Sequence, residues 1–472
     1  MTMLDKINSH AKGTIKPCLD PDFLPATLWD RAYKKEVLAS GKSKDIIVAM
    51  ERNPNSRSIY KTVVFDNPTD DEFAASFYHV ERLLKSMFWI EGGFRVTIAG
   101  DKRLADALAK IYVPGGAGAF DNETMKVIYT HPNIEVLYAD YDKAPPATSS
   151  NSSKPLGRHL DGCRIGFDLG GSDRKSAAVI DGEVVFSEEI TWDPYFQTDP
   201  SYQKEGIRDT LKRAAAHLPR VDAIGGSAAG VYINNRVRAA SLFRGIPKDI
   251  WEEKVSNMLV DIAKEWGVPF EVVNDGEVTA LAGSMSLNAN SVLGVSLGTS
   301  MAGGYVNAEG NITDWLNELA FAPVDYDPNA FPDEWSKDIG CGVQYFSQQG
   351  VARLAEKAGI ELPADMPFPE RLKEVQKLNE AGDARAEKVF RSIGVSFGYT
   401  IARYFDFYPS LEKILILGRV TSGKGGDMIL EEARKVLKNE FSEYKVEFAI
   451  PDETNRRHGQ AVAAASLPII AK

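Results

Sequence analysis

Cysteine is scarce in this chain. Cys18, Cys163 and Cys341 stand far apart among 472 residues, which excludes a disulfide-rich scaffold and any CxxC-type zinc site and suits a reducing cytoplasm. The six histidines (His10, His79, His131, His159, His217, His458) form no ligand pair at useful spacing. No GxSxG nucleophile elbow occurs. No apolar run reaches about 18 residues, so no membrane span is expected. The opening MTMLDKINSHAKG lacks the apolar core of a signal peptide. Basic charge is also short. Lys+Arg number 55 against 66 Asp+Glu, a formal net charge of −11, which disfavours non-specific binding to nucleic acid or to an anionic membrane.

What is present is ordinary globular material, 44% hydrophobic and 26% charged. At roughly 100–200 residues per domain the length allows two to four domains. Residues 144–157, APPATSSNSSKPLG, read as a linker, because such a stretch buries too little to offset its ordering entropy. Before it, DIIVAM (45–50) and YKTVVF (60–65) read as a hairpin around RNPNS. DEFAASFYHVERLLKSMFWI (71–90) has helical periodicity. FRVTIAG (94–100), DKRLADALAKIY (101–112) and IEVLYAD (134–140) read as strand, helix and strand. No helix-turn-helix pattern and no nucleotide fingerprint occurs there, and the role of these residues is not legible.

After the linker, strands and helices alternate, which points to an α/β class. CRIGFDLGG (163–171) is a strand entering a glycine turn, and SAAVIDGEVVFSEEIT (176–191) is a hairpin around Asp181-Gly182. VDAIGGSAAG (221–230) is a strand ending in small residues. A long helix is expected over 248–266, then the strand PFEVVND (269–275). SVLGVSLGTSMAGGYVN (291–307) repeats the strand–glycine turn–strand theme, which suggests two lobes of related topology. KILILGRVTSGKGG (413–426) is a buried strand and a glycine-rich turn before the helix DMILEEARKVL.

Four elements carry candidate chemistry. In Asp168-Leu169-Gly170-Gly171-Ser172, a turn without Cβ atoms lets backbone N–H groups approach a phosphate, Ser172 adds a donor, and Asp168 suits a hydrated Mg²⁺ bridging to phosphates. The bland alternative is a tight hairpin with a capping Asp. Gly298-Thr299-Ser300-Met301-Ala302-Gly303-Gly304 reads as a second phosphate cradle, or again as a hairpin turn. Asn274-Asp275 closes a strand on a carboxylate, where α/β proteins bind ligands; Asp275 suits a general base, or the pair caps the next helix. GRVTSGKG (418–425) matches GxxxxGK but has Gly425 where a P-loop needs Ser or Thr. A glycine turn packing on a nucleoside, or a plain turn, is the better reading.

In this order, the four elements resemble the ROK-type sugar kinases of the actin-like, Hsp70-like and hexokinase-like ATPase superfamily. The resemblance runs from about residue 163 to 470. It implies a two-lobed ribonuclease H-like α/β fold, with an extra small α/β domain at 1–143, a linker at 144–161, lobe 1 at 162–283 and lobe 2 at 284–472, the C-terminal helix returning to lobe 1. It implies phosphate contacts at Asp168, Gly170, Gly171, Ser172, Gly298, Thr299, Ser300, Gly303 and Gly304, adenosine contacts at Gly418 and Gly423, and Mg²⁺ held by Asp168 through water. Asp275 takes the role of base. Gly230, Asn274 and Glu318 fall on the sugar side. The family's usual His and Glu are replaced by Phe321 and Gln344, and only Cys341 and Gly342 survive from its zinc segment. The implied protein is a cytoplasmic ATP- and Mg²⁺-dependent carbohydrate kinase with a non-standard acceptor and no structural zinc. A catalytically silent ATP/sugar sensor is the alternative. A small-molecule sugar is the expected partner, with no nucleic acid and no membrane, and a homodimer among the options. A DNA-binding repressor is disfavoured, because the N-terminal residues carry strands and no recognition helix.

Overall fold

A computed structural model describes residues 1–147, 156–408, 410–450 and 453–470. Residues 148–155 of the expected linker lie outside it. The fold is α/β, with three main sheets.

The first sheet is N-terminal. Ser43–Asn53 and Ser56–Phe65 form the expected antiparallel hairpin; Arg95–Ala99 pairs antiparallel to the first of these strands, and Glu135–Ala139 pairs parallel to Arg95–Ala99. The helix Asp70–Ile90 starts at a capping box between Thr69 and Glu72, with three acidic residues in its first turn, where the helix dipole favours them. Its buried face does not make a separate core. Val48, Leu84 and Phe88 belong to one apolar cluster with Leu293, Val295, Phe390 and Tyr404. Residues 1–143 are thus a layer fused to the second lobe, and the linker divides the sequence without dividing that core. A buried chain of polar groups crosses the seam: Arg403 pairs with Asp30, Asp30 meets His79 Nδ1 at 2.8 Å, and His79 Nε2 meets Thr62 at 2.8 Å. Breaking a buried pair of this kind is strongly destabilising.

The second sheet orders its strands Phe270–Asn274, Ala223–Ala228, Cys163–Leu169, Asp173–Ile180 and Glu183–Thr191. The first three run parallel. Their register sets Asp168 opposite Ser227 and Leu169 opposite Ala228, with Ala228 opposite Asn274 on the other side. Three chain segments therefore end side by side at one edge. The third sheet orders Met301–Val306, Val292–Leu297, Lys413–Leu417 and Glu447–Ala449, so Gly298 and Gly418 follow adjacent strand ends.

The helix Asp275–Ser286 leaves the second sheet and lies on the third. The contact is close because neither side has a Cβ: one built on Gly304 would stand 2.2 Å from the Gly276 carbonyl oxygen, and one on Gly276 would stand 2.4 Å from that of Gly303. The C-terminal helix packs Ala461 and Ala465 on Ala177 and Val179 of the second sheet, and Gln460 Nε2 donates to Thr279 Oγ1 at 2.6 Å.

Two expectations need correction. The long helix over 248–266 is broken into a 3-10 turn Lys248–Ile250, a short helix Trp251–Lys254 and a helix Met258–Trp266; the N–H groups of Val255 and Ser256 both turn back to the Trp251 carbonyl. After Gly418, a 3-10 turn at Arg419–Thr421 leads to a helix that already begins at Gly423.

Candidate active site

Asp168 ends a fully buried strand and is itself 6% exposed. Ser227 Oγ donates to its Oδ1 at 2.7 Å, and Lys175 Nζ lies 3.7 Å from Oδ2. Burial raises its pKa against the pull of Ser227 and Lys175. Ser227 and Lys175 are its register partners on the two neighbouring strands. Sequence reading missed both; the only signal was a lone hydroxyl in the small-residue run GGSAA.

Asp275 is the first residue of its helix, half buried, and its Oδ1 accepts from the Gly276 N–H at 3.0 Å. Burial, then the Asp168 charge, pushes its pKa up to about 6. Glu318 is pushed up to about 7, by burial and by Asp275. Three carboxyls from three separate segments thus share one electrostatic neighbourhood. A perturbed carboxylate group of this kind in a cleft is a mark of catalytic use.

A cavity of about 390 Å³ opens beside Asp275. The helix contributes Gly276, Thr279 and Gly283, the third sheet Ser296, Gly303 and Leu417, and Gly418 closes the far end. Gly418 has φ +95°, and a Cβ there would stand 2.2 Å from the Leu297 carbonyl oxygen, so only glycine fits.

The two glycine turns differ in detail from expectation. Gly170 N–H is used inside its turn by the Asp173 carbonyl, and the turn is braced by the Trp192 indole donating to Gly170 O at 2.8 Å. Ser172 Oγ donates to Asp173. Among the described residues, nothing accepts from the N–H groups of Gly171 and Ser172. In the second element the turn is Gly298, Thr299 and Ser300 alone, with both hydroxyl residues exposed. Gly303 and Gly304 lie inside the strand Met301–Val306. Gly304 serves the helix contact described above, and a Cβ on Gly303 would stand 2.8 Å from the Asn317 carbonyl oxygen. Neither is part of a phosphate turn, although Gly303 lines the cavity.

The sugar-side residues are largely engaged within the protein. Asn274 caps the helix: its Oδ1 accepts from Gly276 N–H at 2.7 Å and its Nδ2 donates to Gly230 O at 2.8 Å, so both ends of its amide and the Gly230 carbonyl are already engaged. Gln344 is 3% exposed and donates to Gln349, packed inside the lobe. Phe321 is half buried, its ring 4.5 Å from Trp89 and 5.3 Å from Phe120. Cys341 is fully buried, with its thiol pushed up by burial. Beside it Asp338 is paired with Arg82 at 3.0 Å and Lys85 at 3.1 Å. Among the described residues no group of three or more His, Cys, Asp or Glu is arranged to hold a metal ion.

Gly423 opens a helix whose first turn is taken: Glu380 Oε1 accepts from Lys424 N–H at 2.9 Å, and Lys424 Nζ donates to Glu380 O at 3.0 Å. The carboxylate sits where a P-loop would receive phosphate. One further buried acid stands apart. Glu277 accepts from Asn317 Nδ2, its other oxygen has no partner, and burial pushes its pKa up to about 8.

No family model and no curated protein matches the chain. Solved structures do. The ROK hexokinase from Thermus thermophilus aligns with a TM-score of 0.50 and 19% identity over 64% of this chain and 97% of its own. The matched part of the chain therefore has the two-lobed α/β fold of that protein. A ROK family glucokinase from Streptomyces griseus in complex with glucose and AMPPNP aligns at 0.47 and 19%, over 64% of this chain and 98% of its own. A ROK family transcriptional regulator, a homologue of an E. coli protein called MLC, aligns at 0.49 and 17%, over 72% and 83%. Among the described residues no helix is long and apolar enough to cross a membrane.

Proposed function

We propose that the chain is an ATP-dependent carbohydrate kinase with Asp275 as general base. The observation that carries this reading is the cavity between the helix Asp275–Ser286 and the third sheet, lined by Asp275 with Gly276, Gly303 and Gly418, together with the charge coupling of Asp275 to Asp168 and Glu318. Asp275, raised to about 6, is ionised at neutral pH yet basic enough to draw a proton from an acceptor hydroxyl as that oxygen attacks. Glu318 accepts hydrogen bonds from acceptor hydroxyls beside it. The free N–H groups of Gly171 and Ser172, with the exposed turn Gly298–Ser300, face phosphate oxygens, and the cavity ending at Gly418 takes the nucleoside. Phosphoryl transfer needs mainly positioning and electrostatics, so backbone dipoles let an acidic protein hold a polyanion.

The residues present fit Mg²⁺. Asp168 keeps one carboxylate oxygen free of Ser227, and a hydrated ion needs one or two carboxylates besides phosphates and water. When bound, the ion neutralises phosphate charge; Asp168 would hold it through water. Lys175, near the same oxygen, fixes that carboxylate in the ion-free protein.

A silent ATP/sugar sensor on the same fold is the second reading. It is favoured by the engaged Asn274 and the buried Gln344, which leave Glu318 with few polar companions. The experiment that separates the two is a coupled ADP-release screen over monosaccharides and amino sugars, with Asp275→Asn as control. Sugar-dependent ADP release that Asp275→Asn abolishes supports the kinase; tight ATP and sugar binding with no release supports the sensor.

A further inference from the structure

The segment that carries Glu318 is held by the N-terminal layer. Asn317 N–H donates to Ile90 O at 2.9 Å, and Glu318 N–H donates to Trp89 O at 2.8 Å. These carbonyls belong to the last turn of the helix Asp70–Ile90, where carbonyl groups lack intrahelical partners. Three residues on, Phe321 lies against Trp89 and Phe120. Trp89 is buried and fixed, its indole donating to Asp121 Oδ1 at 2.8 Å while Lys85 Nζ holds Oδ2 at 2.9 Å. Phe120 and Phe321 are half buried. From lobe 1, Val231 and Ile233 pack on the large apolar core that these rings also adjoin, and Val231 follows Gly230, whose carbonyl anchors the Asn274 side chain beside Asp275. An aromatic patch, two of its three rings from the N-terminal layer, therefore holds the segment that carries Glu318.

We propose that Phe120 and Phe321 form the platform for an apolar part of the acceptor, so that residues 1–143 are a wall of the acceptor site and the preferred ligand is a sugar bearing an apolar substituent, such as an aryl or acyl group. This rests on the reading of the cleft as a sugar site. Aromatic rings beside a carboxylate suit such a ligand: the rings take its apolar surface, and Glu318 takes its hydroxyls. A free hexose sets a hydroxyl against Phe321, where it finds no partner.

The test uses the full chain and phenyl β-D-glucopyranoside, with binding followed by saturation-transfer NMR and ADP release measured on the same preparations. Phe120→Ala removes the ring and Phe120→Tyr keeps it; thermal melts report folding. We expect the wild type to bind the phenyl glucoside at least tenfold more tightly than glucose, Phe120→Ala to lose that preference, and Phe120→Tyr to retain it, with ATP affinity unchanged throughout. Equal binding of the glucoside by wild type and folded Phe120→Ala, or no binding by either, overturns the platform. If Phe120→Ala fails to fold, Phe321→Leu is read by the same criterion. Glucoside binding that depends on Phe120 but gives no ADP release upholds the platform and removes the kinase reading; sugar-dependent ADP release with no effect of Phe120→Ala does the reverse.

Discussion

Replacing Asp275 by Asn should make the protein slower and sturdier together. Asp275 is raised from 3.8 to about 6 by burial and by the Asp168 charge. The folded chain therefore holds a proton that the unfolded chain releases as pH rises from about 4 to about 6, and stability falls across that window. A shift of about two units corresponds to about 3 kcal/mol. The side chain is partly open to water, so screening leaves about 1–2 kcal/mol. Asn keeps the shape and the bond from Gly276 but carries no charge. Its advantage should be absent at pH 4, grow to pH 6 and stay flat above, a gain in Tm on the order of 1–2 °C at pH 8. Turnover should fall by about 10²–10⁴-fold, since the proton acceptor is gone, with ATP affinity little changed. In the wild type, kcat/KM should rise with pH through about 6 as the base ionises. Thermal unfolding at pH 4.5 and 8, with coupled ADP release, reads all of this. An Asn variant that is less stable than wild type at pH 8, or that transfers phosphate at the full rate, would refute the assignment of the base.

Three further outcomes are expected. Glu277→Gln should gain stability over wild type progressively between about pH 5 and pH 8 and no further above that, because Glu277 titrates near 8 and costs stability wherever the unfolded chain alone is ionised; urea midpoints at pH 5 and 9 that differ equally from wild type would count against a buried proton there. Gly418→Ala should lose nucleotide affinity by at least tenfold in calorimetry, since a Cβ meets the Leu297 carbonyl at a positive φ and must shift the end of the cavity; unchanged affinity in a folded variant would remove the cavity from the nucleotide site. Lys424→Ala should change ATP affinity less than about twofold, because the ammonium is engaged by the Glu380 carbonyl; a large loss by the same measurement would restore a P-loop role for the turn.

The sequence disclosed most where a motif is local. Asp168-Leu169-Gly170-Gly171 and Asn274-Asp275 each end a short buried strand, and strands of that kind are recognisable from five to seven residues. Their meeting follows from parallel register, which lays Asp168, Ser227 and Ala228–Asn274 side by side. Where a residue's role depends on a distant partner, local pattern misled. Gly303 and Gly304 looked like a turn because they follow Gly298, yet they are strand glycines shaped by a helix that begins at Asp275. Gln344 looked like a sugar ligand by position, and its side chain is buried with a bond to Gln349. Asn274 carried two readings at once, and the cap is the one its hydrogen bonds express.

The N-terminal layer was the least legible part for the same reason. Its bonds to the rest of the chain join residues hundreds of positions apart: Asp30 with Arg403, Glu318 with Trp89, Asp338 with Lys85. No window of periodicity spans such distances. The expected small domain does contain its own hairpin, helix and strands, but its helix is buried at every position from His79 to Ile90, on all sides. One layer cannot bury a helix on that many sides. The run LLKSMFWI, apolar but for Lys85 and Ser86, was the sequence signal that a second body lies against it. Lys85 then has to be paired where it is buried, and Asp121 and Asp338 do this from both sides of the seam. The charge that looks anomalous in an apolar helix is thus what ties the layer to the segment carrying Cys341, while Trp89, one turn further on, accepts the Glu318 backbone N–H.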